Sequence, residues 1–245
     1  MIYGACSDVG KMRKINQDSY YLSENTSLPL FVVADGMGGH NAGEIASSVA
    51  IKIVKKCLDT KYELIISNEL DVTTFIEETL KLSNKEIYKM GKSNIEYNGM
   101  GTTITIGCIK DDKLYIGHIG DSRAYIINKQ KFMQITQDHS LVAELVKNGS
   151  ISEDEATNHP QKNVITRALG TDIDVKVDIS EYKLERNDII LLCTDGLTNM
   201  VSENIIKEII MSCDDLQKAC ETLIENANKN GGKDNSTVML IKVEK

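Results

Sequence analysis

The sequence of 245 residues predicts an α+β fold made of antiparallel β-sheets with helices packed on the outside. Three observations indicate this class. Short runs rich in β-branched and aromatic residues recur along the chain and are separated by polar turns, as in antiparallel strands. Two long segments instead repeat apolar residues at helical spacing. Because strand-like and helix-like segments are grouped rather than strictly alternating, a doubly wound parallel sheet is not expected.

Nine segments are predicted to be strands. In chain order they are IYGACSD, DSYYLS, LFVVAD, TTITIGCIK, KLYIGHIGD, RAYIINK, VKVDISEYKL, DIILLCTD and STVMLIKV. Two polar tetrapeptides, KDDK at 110–113 and NKQK at 128–131, are typical of hairpin turns. After LFVVAD the sequence GMGG carries little side chain, so we expect regular structure to end at Asp35.

Four helices are predicted, the first two of them from apolar residues at helical spacing. The first follows the glycine-rich segment and covers 42–57. The second covers 72–87, and either Asp71 or Thr73 could cap its N-terminus. The remaining two are expected near the C-terminus, at 202–211 and 214–228.

Residues 138–170 differ in composition from the rest of the chain. An amphipathic stretch, HSLVAELVKNG, is followed by the acidic SISEDEATNHP and then by QKNVITRALG. We interpret this segment as a mobile excursion from the sheets. The chain has two prolines, no repeat and no low-complexity linker, so we expect residues 1–245 to form a single domain.

Charge and composition exclude several classes of partner. The net charge of −8 makes nucleic acid and anionic membrane surfaces unfavourable partners. No run approaches the roughly 18 apolar residues of a spanning helix, and the N-terminal segment lacks the apolar core of a secretory signal, so we expect no membrane insertion. The six cysteines are scattered without a C-x-x-C pair, which predicts no structural zinc and a reducing, cytoplasmic setting.

Five aspartates fall at the ends of predicted strands: Asp18, Asp35, Asp121, Asp195 and Asp234. Aspartate is depleted within strands and common in turns, so any one of them alone is best explained as a turn residue. If the strand ends share one rim, however, the carboxylates converge and require a counter-ion. A ligand set made only of oxygen suits hard divalent cations such as Mg²⁺ or Mn²⁺.

Two neighbouring features extend this hypothesis. Arg13 lies five residues before Asp18 and is equally consistent with a surface cation and with a bidentate fork for phosphate oxygens. Gly36 follows Asp35 directly, which would allow its carbonyl oxygen or a hydrated cation to come close. The sequence shows no arrangement of Cys, Ser and His that indicates covalent catalysis by a nucleophilic side chain.

The chain resembles the metal-dependent protein phosphatases of the protein phosphatase 2C type, in their compact bacterial form. Eight segments carry the resemblance in family order: SDVGKMRKINQDS, VVADGMGGHNAGEIAS, GTTIT, IGDSRAY, QDHSLV, VITRALG, LLCTDGLTNMV and GGKDNSTVML. Together they cover essentially the whole chain, and DGMGGH and GGKDNSTV are the most specific.

This resemblance implies a β-sandwich of two antiparallel sheets flanked on both sides by helix pairs, an α-β-β-α arrangement, with 138–170 as a mobile flap beside the site. It implies hydrolysis of phosphoserine and phosphothreonine in phosphorylated proteins by a monomeric enzyme. A cognate serine/threonine kinase is expected to oppose it.

The resemblance also implies roles for individual residues. Asp35 resembles the ligand that bridges two tightly bound Mn²⁺ or Mg²⁺ ions, and the carbonyl of Gly36 resembles a ligand of one of them. Asp195 and Asp234 resemble ligands of the other. All three aspartates are therefore candidate catalytic residues.

Further positions match the family at the edge of this site. Asp18 resembles the residue that holds metal-bound water, and Asp121, together with Asp195, resembles the site of a third, weaker metal. Arg13 resembles the phosphate-binding arginine. His40 is the candidate in the glycine-rich segment for a further contact with substrate.

Two positions depart from the family pattern. Residue 17 is glutamine where many members have glutamate, and Met37 stands where animal members carry a histidine proposed as the general acid.

The predicted reaction is direct attack of a metal-bridged water or hydroxide on phosphorus.

Two other classes of function compete with this interpretation. One is a metal-free regulator that binds phosphoproteins, although the complete set of five aspartates argues against it. The other is a dinucleotide-binding oxidoreductase suggested by GMGG, but the G-x-G-x-x-G pattern fails at Asn41.

Overall fold

The computed structural model describes residues 2–23, 27–38 and 42–244. Within these ranges the strands are β1 (Ile2–Asp8), β2 (Asp18–Leu22), β3 (Leu30–Met37), β4 (Gly101–Thr102), β5 (Ile104–Lys110), β6 (Lys113–Ile119), β7 (Arg123–Ile127), β8 (Phe132–Gln134), β9 (Asp178–Lys183), β10 (Ile189–Cys193) and β11 (Ser236–Lys242). The α-helices are α1 (Ala42–Ile66), α2 (Val72–Ser93), α3 (Leu141–Lys147), α4 (Glu153–Thr157), α5 (Asp195–Thr198), α6 (Glu203–Ser212) and α7 (Leu216–Lys229).

The strands form two sheets in which every pairing is antiparallel. The five-stranded sheet has the order β1-β11-β10-β7-β8. The six-stranded sheet has the order β2-β3-β5-β6-β9, and the short β4 pairs with β3. The nine predicted strands are therefore present, and β4 and β8 complete the set.

Successive side chains along a strand point to opposite faces of its sheet, and this divides the core into layers. On β3, Val32 packs toward α1 and α2, whereas its neighbours Phe31 and Val33 pack between the two sheets. On β11, Leu240 packs toward α6 and α7, whereas Met239 packs between the sheets. The predicted α-β-β-α arrangement, with a helix pair on each side of a sandwich, is confirmed.

The four predicted helices are present, and the first two are longer than predicted. Asp71 is the N-cap of α2, because its carboxylate accepts hydrogen bonds from the backbone N–H groups of Thr73 and Thr74. The first helix continues to Ile66, well beyond the predicted end. No helix among the described residues is both long enough and apolar enough to cross a membrane.

The expectation that regular structure ends at Asp35 was wrong. Strand β3 continues through Met37, because β4 supplies backbone partners: Gly36 pairs with Thr102 and Met37 with Gly101. The predicted turn at 110–113 is confirmed, since Asp111 and Asp112 both adopt positive φ, as the tight hairpin turn between β5 and β6 requires.

The segment 138–170 leaves the sheets as predicted. It contains α3 and α4, and Ser152, the N-cap of α4, forms a capping box with Glu155. Two short backbone links hold its base: Ser140 bridges to Ile165 and Leu169 bridges to Thr102. We call this segment the flap; its mobility stays a prediction.

Candidate active site

Three aspartates come together through the six-stranded sheet. The register of β2 and β3 places Asp18 directly opposite Asp35. The backbone N–H of Asp35 donates to Thr103 Oγ1 at 3.0 Å, and Thr103 Oγ1 lies 2.7 Å from Ser122 Oγ. Because Ser122 follows Asp121, this bridge holds the turn after β6 beside Asp35.

Two further aspartates come from adjacent strands of the five-stranded sheet. Asp195 follows β10 and is the first residue of α5, where Asn199 Nδ2 donates to its Oδ2 at 2.9 Å. Asp234 lies just before β11, and its Oδ1 accepts the backbone N–H of Asn235 at 2.9 Å. The sequence predicted Asp195 at a strand end, and the structure adds that it begins a short helix.

Hydrogen bonds across the sandwich join the two groups. Oδ2 of Asp18 accepts the hydroxyl of Thr194 at 2.9 Å and that of Thr237 at 2.7 Å. The backbone N–H of Gln17 donates to Asn235 Oδ1 at 2.8 Å. The aspartates of both sheets therefore face one shared site.

The electrostatics of the site reflect this crowding. Burial raises the pKa of Asp18 to about 7, of Asp121 to about 8 and of Asp195 to about 6. Burial also raises the pKa of Asp35 well above its usual range, and the charges of Asp18, Asp195, Asp121 and Asp234 add to that increase. Carboxyl groups that hinder each other's ionisation in this way favour a cation.

The hydrogen bonding of two buried carboxylate oxygens indicates whether a cation would fit this site. Oδ1 of Asp18 and Oδ1 of Asp121 are buried without a hydrogen-bond partner in the described part of the chain. An unsatisfied buried acceptor is costly, and a cation or its hydration shell would relieve it. Across the described residues, no three His, Cys, Asp or Glu side chains are already arranged to hold a metal ion by themselves.

Arg13 lies at the exposed edge of the cluster. Its Nη2 donates to Asp234 Oδ2 at 2.7 Å, and this hydrogen bond is the main cause of its raised pKa. About half of the Arg13 side chain is exposed. The predicted phosphate-binding residue therefore borders the aspartates and remains accessible from solvent.

Gly36 is crowded for a reason that the sequence did not indicate. A Cβ atom at this position would lie 2.1 Å from the carbonyl oxygen of Gly43, in the first turn of α1. At Gly43, a Cβ would meet the carbonyl oxygen of Gly36 at 2.7 Å. Glycine at both positions lets α1 pack against the backbone beside Asp35.

Comparison with known proteins decides the family. A family model described as Protein phosphatase 2C matches residues 11–235. This chain belongs to the protein phosphatase 2C family. The resemblance inferred from the eight segments is thereby confirmed.

Relatives of this protein phosphatase 2C chain match it over nearly its full length. The chain is 39% identical over 236 residues to the serine/threonine phosphatase stp of Listeria monocytogenes. This match covers 96% of the chain and 93% of the relative. The crystal structure of serine/threonine phosphatase Stp1 from Staphylococcus aureus matches with a TM-score of 0.90 and 36% identity, covering 100% of this chain and 96% of that one.

A second solved structure is informative about metals in the family. The catalytic domain of the serine/threonine protein phosphatase PstP, in complex with two manganese ions, matches with a TM-score of 0.86 and 33% identity. The match covers 99% of this chain and 98% of that one.

The flap of this protein phosphatase 2C chain borders a cavity beside the aspartates. The cavity has a volume of about 750 Å³ and is lined by Asp121, Asp195 and side chains of α3 and α4.

His40, the other predicted substrate contact, lies outside the described residues. His118 and His139 are buried and stack on each other with ring centroids 4.9 Å apart.

The sequence interpretation missed the residues that hold the cluster in place. Thr194 and Thr237 bind Asp18, and Arg123 pairs with Asp138, with Nη2 2.7 Å from Oδ2. Threonine is common in strands, so its presence beside a strand end gives little signal. Only the packing of the two sheets against each other shows that these threonines face an aspartate of the opposite sheet.

Proposed function

We propose that this chain is a phosphoprotein phosphatase that hydrolyses phosphoserine and phosphothreonine with the help of Mn²⁺ or Mg²⁺. One observation carries the proposal: five buried or partly buried aspartates share a site, two of their oxygens lack a donor among the described residues, and an accessible arginine lies at the edge. Family membership supplies the reaction class to which this arrangement belongs.

The proposed ligands are those that the resemblance to the family implies, and the convergence of the aspartates supports them. Asp35, the carbonyl of Gly36, Asp195 and Asp234 would hold two tightly bound cations. Asp121, together with Asp195, would hold a third more weakly. When bound, the cations would act as Lewis acids that lower the pKa of water, so that hydroxide is available as the nucleophile near neutral pH.

The chain's own groups orient the substrate and water. The Arg13 guanidinium would bind phosphate oxygens bidentately and offset the negative charge that develops on them during attack. Oδ1 of Asp18 would accept a hydrogen bond from the attacking water and hold it in place. Both groups act by position, which is the main requirement of phosphoryl transfer.

The cysteines support direct hydrolysis rather than a covalent intermediate. Burial raises the pKa of Cys108 and Cys193 to about 12, so neither supplies a thiolate near neutral pH. None of the six cysteines, which all lie in the described ranges, forms a disulfide. This is consistent with the reducing cytoplasmic location that we propose.

The cavity beside Asp121 and Asp195 is the proposed route for the substrate. Its volume of about 750 Å³ and its mixed charged and apolar lining suit a peptide segment that flanks the phosphorylated residue. We further propose a monomeric, single-domain enzyme whose phosphoprotein substrates are produced by a cognate serine/threonine kinase.

The substrate class can be tested with matched peptides. Phosphate release is measured with Mn²⁺ on three peptides that differ only in carrying phosphoserine, phosphothreonine or phosphotyrosine. We expect release from the first two and little from the third. Release from none of them would reject the proposed function, and preference for phosphotyrosine would reject the substrate class.

A further inference from the structure

Two threonine hydroxyls of one sheet bind a single carboxylate oxygen of the other. Thr194 Oγ1 lies 2.9 Å and Thr237 Oγ1 lies 2.7 Å from Oδ2 of Asp18. Oδ1 of the same carboxylate is buried and has no hydrogen-bond partner in the described ranges. The two oxygens of Asp18 are therefore in different environments.

The direction of each hydrogen bond around Asp18 can be assigned. Thr194 Oγ1 accepts the backbone N–H of Thr237 at 2.9 Å, so its hydroxyl hydrogen is free to go to Asp18. Thr237 Oγ1 also gives its hydrogen to Asp18. Ser7 Oγ, which lies 2.7 Å from Thr237 Oγ1, must therefore donate to it.

The network closes on itself through Asn16. Its Nδ2 donates to Ser7 Oγ at 2.9 Å, and its Oδ1 accepts the backbone N–H of Asp18 at 3.1 Å. Asn16, Ser7, Thr237 and Asp18 thus form a ring of hydrogen bonds in which each donor has one acceptor. Such a chain polarises each link toward the carboxylate and holds its orientation.

Burial makes this orientation difficult to lose. Thr194 and Thr237 are fully buried, and Asp18 is only 9% exposed. Solvent therefore competes little for Oδ2, and rotation of the carboxylate would break two buried hydrogen bonds. The threonines belong to strands β10 and β11 or their ends, which are rigidly paired elements.

We propose that Thr194 and Thr237 are positioning residues that hold Oδ2 of Asp18 and thereby reserve Oδ1 for a divalent cation or its hydration shell. The proposal rests on the proposed function for the presence of the cation. The threonines act through Asp18 and touch neither substrate nor cation. In metal sites, removal of such supporting hydrogen bonds weakens binding by about 10- to 100-fold.

Three variants and Mn²⁺ titration calorimetry test the proposal. Thr237→Val keeps the shape of the side chain and removes the donor, whereas Thr237→Ser keeps the donor and removes a methyl group. Thr79→Val is the matched control, because Thr79 is also buried and its hydroxyl has no partner in the described part of the chain. Melting temperature in chelator reports the effect on folding alone.

We expect Thr237→Val to raise the Kd for Mn²⁺ by about tenfold. The Kd of Thr237→Ser should remain within about twofold of wild type, because serine keeps the hydroxyl donor. The Kd of Thr79→Val should also remain within about twofold, because the Thr79 hydroxyl has no partner to lose among the described residues. An unchanged Kd in folded Thr237→Val, even with a lower melting temperature, would reduce the threonine to a purely structural role and overturn the proposal.

A fourth variant covers failure of Thr237→Val to fold. Thr194→Val removes the other hydroxyl that donates to Oδ2 of Asp18 and leaves Thr237 in place. A measurably weaker Kd for Mn²⁺ supports the proposal, and an unchanged Kd overturns it. Failure of the proposed function is distinguishable, because wild type would then release no phosphate whatever the variants bind.

Discussion

Nη2 of Arg13 lies 2.7 Å from Oδ2 of Asp234, so the residue assigned to phosphate binding is paired with a residue assigned to cation binding. The side chains are about half and one third exposed, respectively. Ion pairs this exposed contribute about 0–1 kcal/mol, so exchange of partners is energetically easy. We infer that a cation at Asp234 frees the guanidinium for the substrate phosphate.

Substitution of Arg13 should therefore separate substrate use from cation binding. In Arg13→Ala we expect kcat/KM for a phosphothreonine peptide to fall by about 1.5–3 kcal/mol of transition-state stabilisation, or roughly 10- to 150-fold. The Kd for Mn²⁺ should not rise, because Asp234 loses a competitor for its oxygen. Steady-state kinetics and calorimetry on the same preparation measure both quantities.

The matched control is Arg186→Ala, which removes an exposed arginine at the turn before β10. It should leave both quantities unchanged. If Arg13→Ala retains the wild-type kcat/KM, Arg13 is an ordinary surface cation.

The charges of the other four aspartates all oppose ionisation of Asp35. We expect Asp35→Asn to reduce turnover to the assay background while the chelated protein melts no lower than wild type, because the substitution removes repulsion. Asp59→Asn, on the exposed side of α1, is the control for a neutralised surface aspartate. Wild-type turnover in Asp35→Asn at saturating Mn²⁺ would disprove its assignment as a ligand.

The raised pKa of Asp121 predicts how the stability of the chelated protein depends on pH. Its pKa is about 8 in the fold and near the ordinary 3.8 when unfolded. Between these values the folded state holds the extra proton, so the group lowers the free energy of unfolding progressively as pH rises from about 4 to 8. Asn at this position cannot titrate, so the advantage of Asp121→Asn over wild type should grow across that range.

Melting temperatures in chelator at pH 6 and pH 8.5 measure this difference. The comparison with wild type removes the opposite contribution of buried His118, whose pKa is lowered to about 3 and whose effect is complete above the ordinary histidine value. A constant difference between the two proteins at both pH values would contradict the raised pKa of Asp121.

Asp121→Ala tests the third, weaker cation. We expect two cations to bind as tightly as in wild type, while phosphopeptide turnover falls at every Mn²⁺ concentration. The melting temperature in chelator should rise, because the variant removes a buried oxygen that lacks a donor among the described residues. Normal turnover with a lowered melting temperature would instead assign Asp121 to the turn alone.

Much of the fold was predictable because most of its elements are long enough to show their period. The strands show alternation and the helices a repeat near 3.6 residues, which together indicated the helix-covered antiparallel sheets. The three residues of β8 and the four of α5 are too short to show either pattern. The extension of β3 to Met37 depends on β4, a partner more than 60 residues away in the chain.

For the candidate site, the sequence predicted which aspartates belong to it but not how they come together. A single aspartate at a strand end is explained by a turn, but the repetition of this pattern singled out all five positions without coordinates. Their convergence depends on which strands pair, as in the register that places Asp18 opposite Asp35. The threonines that hold Asp18 were missed because their partner lies in the other sheet.

The most direct test of the central claim is phosphate release from a phosphothreonine peptide by exhaustively chelated protein as Mn²⁺ is added back. Asp35→Asn serves as the control for contaminating phosphatase. We predict no release above that control in chelator and a saturable increase with Mn²⁺ in wild type only. A full rate that persists after chelation, without added metal, would contradict hydrolysis by a cation site built from these aspartates.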